Sequence, residues 1–259
     1  MGQTTKKMVS PAIGRNMQFR ACLLALSALA LLQPLPAADQ KGGVIRLFNG
    51  KNLQGFDTFL EKQGENKDPD KVFQVHNGML HISGAEYGYV ITKEEYSNYH
   101  LRAEFKWGEA THPPRPGMAR DSGILFHVAG PNQIGPTSIE FQMIGGGTGD
   151  IILVGSTTTA TRDGITETRA RFDRRNKSPL PDRQLYVAGY RDPKMEYENP
   201  HGQWNVLDLF ADGDSFKYLV NGKVANEATG SNLTRGKILF QSEGAEVFFR
   251  SLELQPLRK

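Results

Sequence analysis

Several short apolar segments of this chain carry polar or titratable side chains at every second position. Glu104 and Lys106 alternate with apolar residues in HLRAEFKW, and Glu140 and Gln142 do so in SIEFQM. His127 stands in the corresponding phase of a third segment, SGILFH. Carboxyl and imidazole groups transfer protons near neutral pH, while amide and ammonium groups bind oxygen-rich ligands. These residue types are therefore the parts of an acid–base site.

Two further pairs extend this set. Arg120 and Asp121 stand directly before the third segment, where they either clamp a ligand or form an ion pair at the start of a strand. Gln241 and Glu243 share an alternating face near the C-terminal end of the chain. Side chains two residues apart in a strand point to the same side of a sheet. If these segments lie side by side, they form one polar surface that suits a hydroxylated ligand.

Each residue also has a purely structural interpretation. Glu104 and Lys106 are typical of a solvated sheet face. His127 is compatible with a half-buried structural histidine. Glu140 and Gln142 lie in a strongly apolar segment, where polar groups without partners are costly, and a functional role is favoured for them.

No cofactor follows from the residue spacing. The chain has no CxxC or HxxxH pair of the kind that holds structural zinc. Asp121, Glu140 and His127 nevertheless have the donor atoms for a divalent metal ion, which stays open as a cofactor.

The elements that must position these residues are strands. From residue 44 onward, short segments rich in β-branched and aromatic residues follow one another, with no sustained helical period. Asn77-Gly78, Asp212-Gly213 and Asn221-Gly222 each separate two such segments and predict hairpins. This pattern predicts an all-β fold, an antiparallel β-sandwich.

One polar stretch interrupts the strands and predicts a long insertion near residues 155–200. It holds seven arginines and four prolines. An insertion of this length in a compact domain is either functional, as a rim over a binding face, or simply solvated.

The N-terminal residues predict export. A basic region, the apolar run ACLLALSALALL and a Pro-Ala-Ala end are typical of a secretory signal peptide over residues 1–38, leaving one domain over 39–259. The expected location is periplasmic or extracellular, in a bacterium. The run is too short to span a bilayer, so we expect no stable membrane insertion after signal removal.

Charge and cysteine content exclude other classes of protein. The net charge of +3 arises in the N-terminal segment, and the rest of the chain is close to neutral, which argues against nucleic-acid binding. A single cysteine excludes a disulfide scaffold. The sequence points to no protein partner, and the expected partner is a small-molecule or oligosaccharide substrate.

Seven segments together resemble the bacterial 3-keto-disaccharide hydrolase domain family. In chain order they are Leu47–Phe56 (LFNGKNLQGF), Tyr96–Trp107, Arg120–Gly130, Ser138–Asp150, Gly202–Val206, Val220–Val224 and Ile238–Leu252. They cover nearly the whole chain after the signal segment. Glu243 departs from the family pattern, since many members have His at this position.

The resemblance implies a jelly roll of the concanavalin A-like lectin and glucanase type. It also implies cleavage of glycosides whose sugar carries a 3-ketone, by removal of the C2 proton and elimination, or by net hydrolysis. On this interpretation His127 or Glu140 is the base and Glu104 is the proton donor. Lys106 or Arg120 would stabilise the enolate.

The remaining candidates bind the substrate. Gln142 and Gln241 would hold hydroxyl groups, with Asp121 and Glu243 completing the binding set. Three alternatives remain: a non-catalytic carbohydrate-binding protein on the same fold, a module that docks to a partner protein, and an ordinary β-glucanase. The last is disfavoured, because Gln142 and Ile144 follow Glu140 where a second and a third carboxylate are needed.

Overall fold

Two antiparallel sheets of eight strands each account for most of the fold in the computed structural model, which describes residues 43–162, 165–169, 171–172 and 196–257. Sheet 1 has the order β16 (Lys223–Ala228), β15 (Ser215–Val220), β14 (Asn205–Asp212), β7 (Tyr99–Thr111), β18 (Ala245–Pro256), β5 (Met79–Ile82) and β4 (Phe73–His76), with β1 (Ile45–Arg46) beside β18. Sheet 2 has the order β13 (Arg171–Phe172), β10 (Ile151–Val154), β9 (Thr137–Ile144), β8 (Asp121–Ala129), β17 (Lys237–Ser242), β6 (Gly88–Thr92), β2 (Phe56–Leu60) and β3 (Gly64–Glu65). A ribbon of β11 (Thr158–Arg162) and β12 (Ile165–Arg169) is separate.

One apolar core lies between the two sheets, and strand alternation builds it. Leu101 and Phe105 of β7 and Ile139 and Phe141 of β9 belong to the same buried cluster. Phe141 stacks on Tyr218 with ring centroids 4.1 Å apart. Each fully buried side chain of this size contributes about 1.5–3 kcal/mol through the area it removes from water. The predicted antiparallel β-sandwich is confirmed.

The asparagine–glycine turns lie where the sequence predicts them. Asn77 and Gly78 have φ values of 50° and 76° between β4 and β5, and Asn221 and Gly222 have 49° and 77° between β15 and β16. Both turns require two successive residues of positive φ, which asparagine and glycine adopt at the lowest cost.

Two predictions fall largely outside the described residues. The signal-peptide segment, residues 1–38, lies wholly outside them. Of the predicted insertion near 155–200, the structure describes the strands β11 to β13 and the residues from 196 onward. Among the described residues there is no helix of the length and apolarity that crossing a membrane requires.

Candidate active site

The polar candidates that the structure brings together lie on the outer face of sheet 2, defined here as the face turned away from sheet 1. Asp121 and Gly123 of β8, Glu140 and Gln142 of β9, and Gln241 of β17 alternate with core residues of the same strands. Gly123 pairs with Gln142, and the pairing of Ile124 with Phe240 sets Gln241 on its other side. The predicted polar surface is therefore real for these three strands.

A buried ion-pair cluster occupies one end of this face. The Arg115 guanidinium places Nη2 2.6 Å from Oδ2 of Asp121 and 2.5 Å from Oε1 of Glu243. Gln142 donates from Nε2 to Oδ1 of Asp121 at 2.6 Å, and the Tyr87 hydroxyl donates to Glu243 at 3.4 Å. These five residues are called the Arg115 cluster below.

Turns at the edge of the sheet deliver Arg115 to this position. The amide of His112 donates to the carbonyl of Gly244, which ties the segment after β7 to the turn between β17 and β18. A Cβ atom on Gly244 would lie 2.6 Å from Cγ of Arg115, and this glycine has a φ of 79°. The turn therefore needs glycine both for its conformation and for the space that the arginine fills.

Two carboxylates share one guanidinium in the Arg115 cluster, and the pKa values follow from that arrangement. Burial raises the pKa of Glu243, although Arg115 and Tyr87 oppose the shift. Burial also raises the pKa of Tyr87, and the charge of Glu243 adds to it. Burial alone would lower the pKa of Arg115, yet Asp121 and Glu243 together raise it above its ordinary value. Burial thus shifts the pKa of Glu243 in the direction that a proton donor requires.

Glu140 and Gln241 converge above Gly123 from the two strands that flank β8. A Cβ atom placed on Gly123 would lie 2.4 Å from Oε1 of Glu140 and 3.0 Å from Oε1 of Gln241. Among the described residues, Oε1 of Gln241 has no hydrogen-bond partner although it is buried. The missing side chain at Gly123 therefore makes the room that this carboxyl and this amide fill, and the place where they meet is called the notch below.

An apolar half adjoins this polar half on the same face. Tyr89, Ile91, Leu125, Val128 and Leu239 form a second buried cluster, and Phe59 packs against it. The Phe59 ring stacks on that of Tyr89 with centroids 5.4 Å apart and 18° between the planes. The outer face of sheet 2 thus offers hydrogen-bonding groups and aromatic surface side by side, as small-molecule sites do.

The prediction that His127 shares this face is wrong. The pairing of β8 with β9 shifts register between Phe126 and Ala129, and His127 has a φ of 51°. Its ring instead packs edge-on against Tyr99 and Phe126 and places Nδ1 3.1 Å from the carbonyl oxygen of Leu233. Burial lowers the pKa of His127 to about 4. A bulge residue leaves the two-residue alternation of its strand, which is why the sequence phase misplaces it.

The prediction that Glu104 and Lys106 join the same surface is also wrong. They lie on β7, which pairs with β14 and β18 in sheet 1 rather than with β8 or β9. Glu104 accepts from Nε of Arg250 at 2.5 Å, and Nζ of Lys106 lies 5.3 Å from the centroid of the Trp204 ring. Both residues are half-buried on the other sheet, Glu104 in an ion pair and Lys106 over an aromatic ring, as the structural alternative predicts.

Arg120 makes backbone contacts at the start of β8. Its Nε donates to the carbonyl of Gly108 at 3.1 Å, and a second nitrogen donates to that of Glu109 at 3.5 Å. These contacts join the beginning of β8 to the end of β7. They favour the interpretation of Arg120 as a residue that fixes a strand start.

The suggested metal set does not converge. Asp121 is paired with Arg115, and His127 lies on the core side of β8, away from the face that holds Glu140. The part of the chain that the structure describes contains no group of three or more His, Cys, Asp or Glu residues arranged to hold a metal ion.

Sequence reasoning missed Arg115 and Tyr87. Arg115 lies in the proline-rich segment HPPRPG, which carries no alternation, and Tyr87 precedes a short strand. Both contact Glu243, which follows Arg115 by 128 residues and Tyr87 by 156 residues. A proline-rich segment directly before a strand that bears candidate residues was the one available signal.

Known proteins resemble this chain in sequence and in fold. The sequence profile of the 3-keto-alpha-glucoside-1,2-lyase-like domain family matches residues 43–255. Two solved structures from Parabacteroides distasonis, both provisionally assigned as glycosyl hydrolases, share the fold. One is 23% identical, with a TM-score of 0.54 over 83% of this chain and 94% of its own. The other is 18% identical, with a TM-score of 0.50 over 83% and 100%. No curated protein has a significant match to this sequence.

Proposed function

Because the chain belongs to the 3-keto-alpha-glucoside-1,2-lyase-like domain family, we propose that it cleaves 3-keto-glucosides by elimination between C1 and C2 of the oxidised sugar. The observation that carries the proposal is a pair of carboxyl groups on either side of β8, the buried Glu140 on β9 and the half-buried Glu243 in the turn directly after β17. A ketone at C3 acidifies the hydrogen on C2, so the reaction needs a base and an acid rather than a nucleophile.

The proposed reaction assigns one proton transfer to each carboxyl group. Glu140 accepts the C2 proton, and the electron pair of the broken C–H bond delocalises onto the C3 oxygen as an enolate. The C1–O bond to the leaving group then breaks as a C1–C2 double bond forms. Glu243, whose pKa burial raises, gives its proton to the departing oxygen. Addition of water to the double bond gives the free 3-keto sugar and restores both protonation states.

The amides beside the notch supply the hydrogen bonds. Gln241 lies across Gly123 from Glu140, and its Oε1, without a partner among the described residues, accepts from a sugar hydroxyl. Gln142 is oriented by its bond to Asp121 and is the neighbour of Gly123 on the other side. Hydrogen bonds of this kind hold a sugar in one orientation beside Glu140.

The first test compares two chromogenic substrates, nitrophenyl 3-keto-α-glucoside and the unoxidised glucoside. The proposal predicts release from the keto form alone, and a primary isotope effect when C2 carries deuterium. Release from the unoxidised glucoside would instead indicate an ordinary glycosidase. No release from either, with measurable binding of the sugar, would indicate the non-catalytic carbohydrate-binding protein. A parallel assay with EDTA tests whether a divalent metal contributes.

Two substitutions assign the base. We expect Glu140→Gln to lower kcat by about 10²–10⁴-fold, the usual contribution of a positioned acid or base. Glu104→Gln is the control, since Glu104 is likewise a glutamate on the outer face of a strand but lies half-buried on sheet 1. Equal losses in the two variants, or full activity in Glu140→Gln, would contradict the assignment.

Export remains part of the proposal. A signal peptide over residues 1–38 would deliver the enzyme to the periplasm or the medium, where 3-keto sugars would reach it directly. Expression of the full chain in a Gram-negative host and mass analysis of the periplasmic product test this. We expect a new N-terminus after Ala37 or Ala38, and an uncleaved cytoplasmic product would contradict it.

A further inference from the structure

The Phe59–Tyr89 stack lies in line with the catalytic notch. Phe59 pairs with Tyr89 across β2 and β6, and Tyr89 pairs with Gln241 across β6 and β17. Gln241 in turn neighbours Gly123 on β8. One straight row of side chains therefore crosses four strands from the notch to the aromatic stack.

This row has a polar end and an aromatic end. Adjacent strands are about 4.8 Å apart, so three spacings set Phe59 about 14 Å from Gly123. On the other side of Gly123 the row continues with Gln142, which is hydrogen-bonded in the Arg115 cluster. Within the residues that the structure describes, a sugar chain lying across the strands meets aromatic surface in the direction of β2.

Tyr89 holds the stack in place from the neighbouring strand. Its side chain is buried, and its hydroxyl accepts from the amide of Gln133 at 3.1 Å and donates to the carbonyl of the same residue at 3.2 Å. Phe59 is only partly buried and has no polar atom to satisfy. The pair thus presents one supported apolar ring at the border of the site, which is the surface that the C–H face of a pyranose ring stacks on.

We propose that Phe59, supported by Tyr89, binds a sugar ring on the leaving-group side of the reacting 3-keto-glucose. This inference rests on the proposed function and deepens it. The enzyme then prefers a 3-keto-oligosaccharide to a 3-keto-glucoside with a small aglycone. The preference comes from stacking at Phe59 and not from the groups that transfer protons.

The experiment compares kcat/KM for two substrates of the full-length protein. Methyl 3-keto-α-glucoside has no second ring and is the internal reference, and a 3-keto-maltooligosaccharide is the extended substrate. We expect Phe59→Ala to lower the ratio of kcat/KM, oligosaccharide over methyl glucoside, by about three- to tenfold, the range for one aromatic stacking contact. Phe59→Trp should keep the ratio, because it restores a flat ring.

Phe248→Ala is the matched control. Phe248 is a partly buried phenylalanine that stacks on His81 at 4.6 Å, but it lies on β18 of sheet 1. We expect its ratio to equal that of the unmodified protein. If Phe59→Ala does not fold, Phe59→Leu keeps most of the volume without the flat ring and is expected to lower the ratio likewise.

The outcomes separate the two proposals. An unchanged ratio in Phe59→Ala, or a fall of the same size in Phe248→Ala, overturns the proposal that Phe59 binds a sugar ring. It leaves the proposed reaction intact. If the unmodified protein turns over neither substrate, the proposed function fails. Calorimetric titration with the same oligosaccharide then tests whether Phe59 binds a sugar ring. Weaker binding in Phe59→Ala alone then supports it, and equal or absent binding in all variants overturns it.

Discussion

Replacing Arg115 with methionine isolates what the cation contributes to the Arg115 cluster. The side chain of Arg115 is only 5% exposed, and it sits between Asp121 and Glu243, which are 1% and 18% exposed. Arg115→Met retains the aliphatic volume but removes the positive charge that lies between these two carboxyl groups. Breaking a buried ion pair in this way costs about 3–5 kcal/mol, because the remaining charge is neither hydrated nor compensated.

Arg250 supplies the matched comparison at the same distance. Its Nε lies 2.5 Å from Oε2 of Glu104, the same separation that Arg115 has from Glu243. The Arg250 side chain is 46% exposed, however, and water screens the pair. Arg250→Met is therefore expected to cost no more than about 1 kcal/mol. If the two substitutions lower the free energy of unfolding equally, burial does not explain the contribution of the Arg115 cluster to stability.

Urea denaturation at pH 7 measures both variants. For a domain of this size, 1 kcal/mol corresponds to about 2–4 °C, so Arg115→Met should also lower Tm by about 10 °C in a thermal scan. Adding Asp121→Asn and Glu243→Gln to Arg115→Met removes the uncompensated charges and should recover much of the loss. No recovery in this triple variant would show that packing, rather than charge, explains the destabilisation.

The pH dependence gives a second check on the same variant. Without the cation, burial raises the folded-state pKa of the two carboxyl groups above the unfolded value. A proton then binds the folded state more tightly, so stability is regained as the pH falls. The deficit of Arg115→Met should accordingly be smaller at pH 5 than at pH 8, and a deficit that grows toward low pH would refute the reasoning.

Two further predictions concern Gly123 and His127. Gly123→Ala should abolish activity with little loss of stability, because its Cβ meets only the ends of the flexible side chains of Glu140 and Gln241. Gly88→Ala should instead prevent folding, because its Cβ would lie 2.1 Å from the backbone carbonyl oxygen of Phe59. An active Gly123→Ala enzyme would contradict the role given to the notch. Burial lowers the pKa of His127 from 6.5 to about 4, so neutral His127 favours the folded state above pH 6.5 and that contribution is lost as the pH falls toward 4. Between pH 8 and pH 5 the free energy of unfolding, measured with urea, should fall by about 2 kcal/mol through this group. His127→Asn, a residue that adopts positive φ readily, should lose that pH dependence.

The strands and their faces could be predicted because they depend on neighbours in the sequence. The apolar side of β9 is set by Ile139, Phe141 and Met143, each two residues from the next, and all three are fully buried. The Asn77-Gly78 turn depends on two adjacent residues. Local rules of this kind apply whichever strand becomes the neighbour, and Glu140, Gln142 and Gln241 were therefore assigned to the correct face.

The choice of sheet could not be predicted in the same way. Glu104 alternates as regularly as Glu140, and nothing in the residues around it distinguishes an outer face of sheet 1 from an outer face of sheet 2. Pairing of β7 with β18 joins residues about 140 positions apart, and long-range pairing is set by how the whole core closes. A β-sandwich has two outer faces with the same pattern, so alternation alone leaves each polar strand with two equivalent positions.

The separation of charge between the two outer faces favours sheet 2 as the site. On sheet 1 the carboxylates Glu104 and Asp208 pair with Arg250 and Arg102, whose side chains are 46% and 45% exposed, so that water screens both pairs. On sheet 2 the chain buries Asp121, Glu140 and Arg115, which is costly unless the groups act on something or hold one another. Folding alone does not require buried charges on a face turned away from the core. The proposed proton transfer to and from a desolvated sugar does require them.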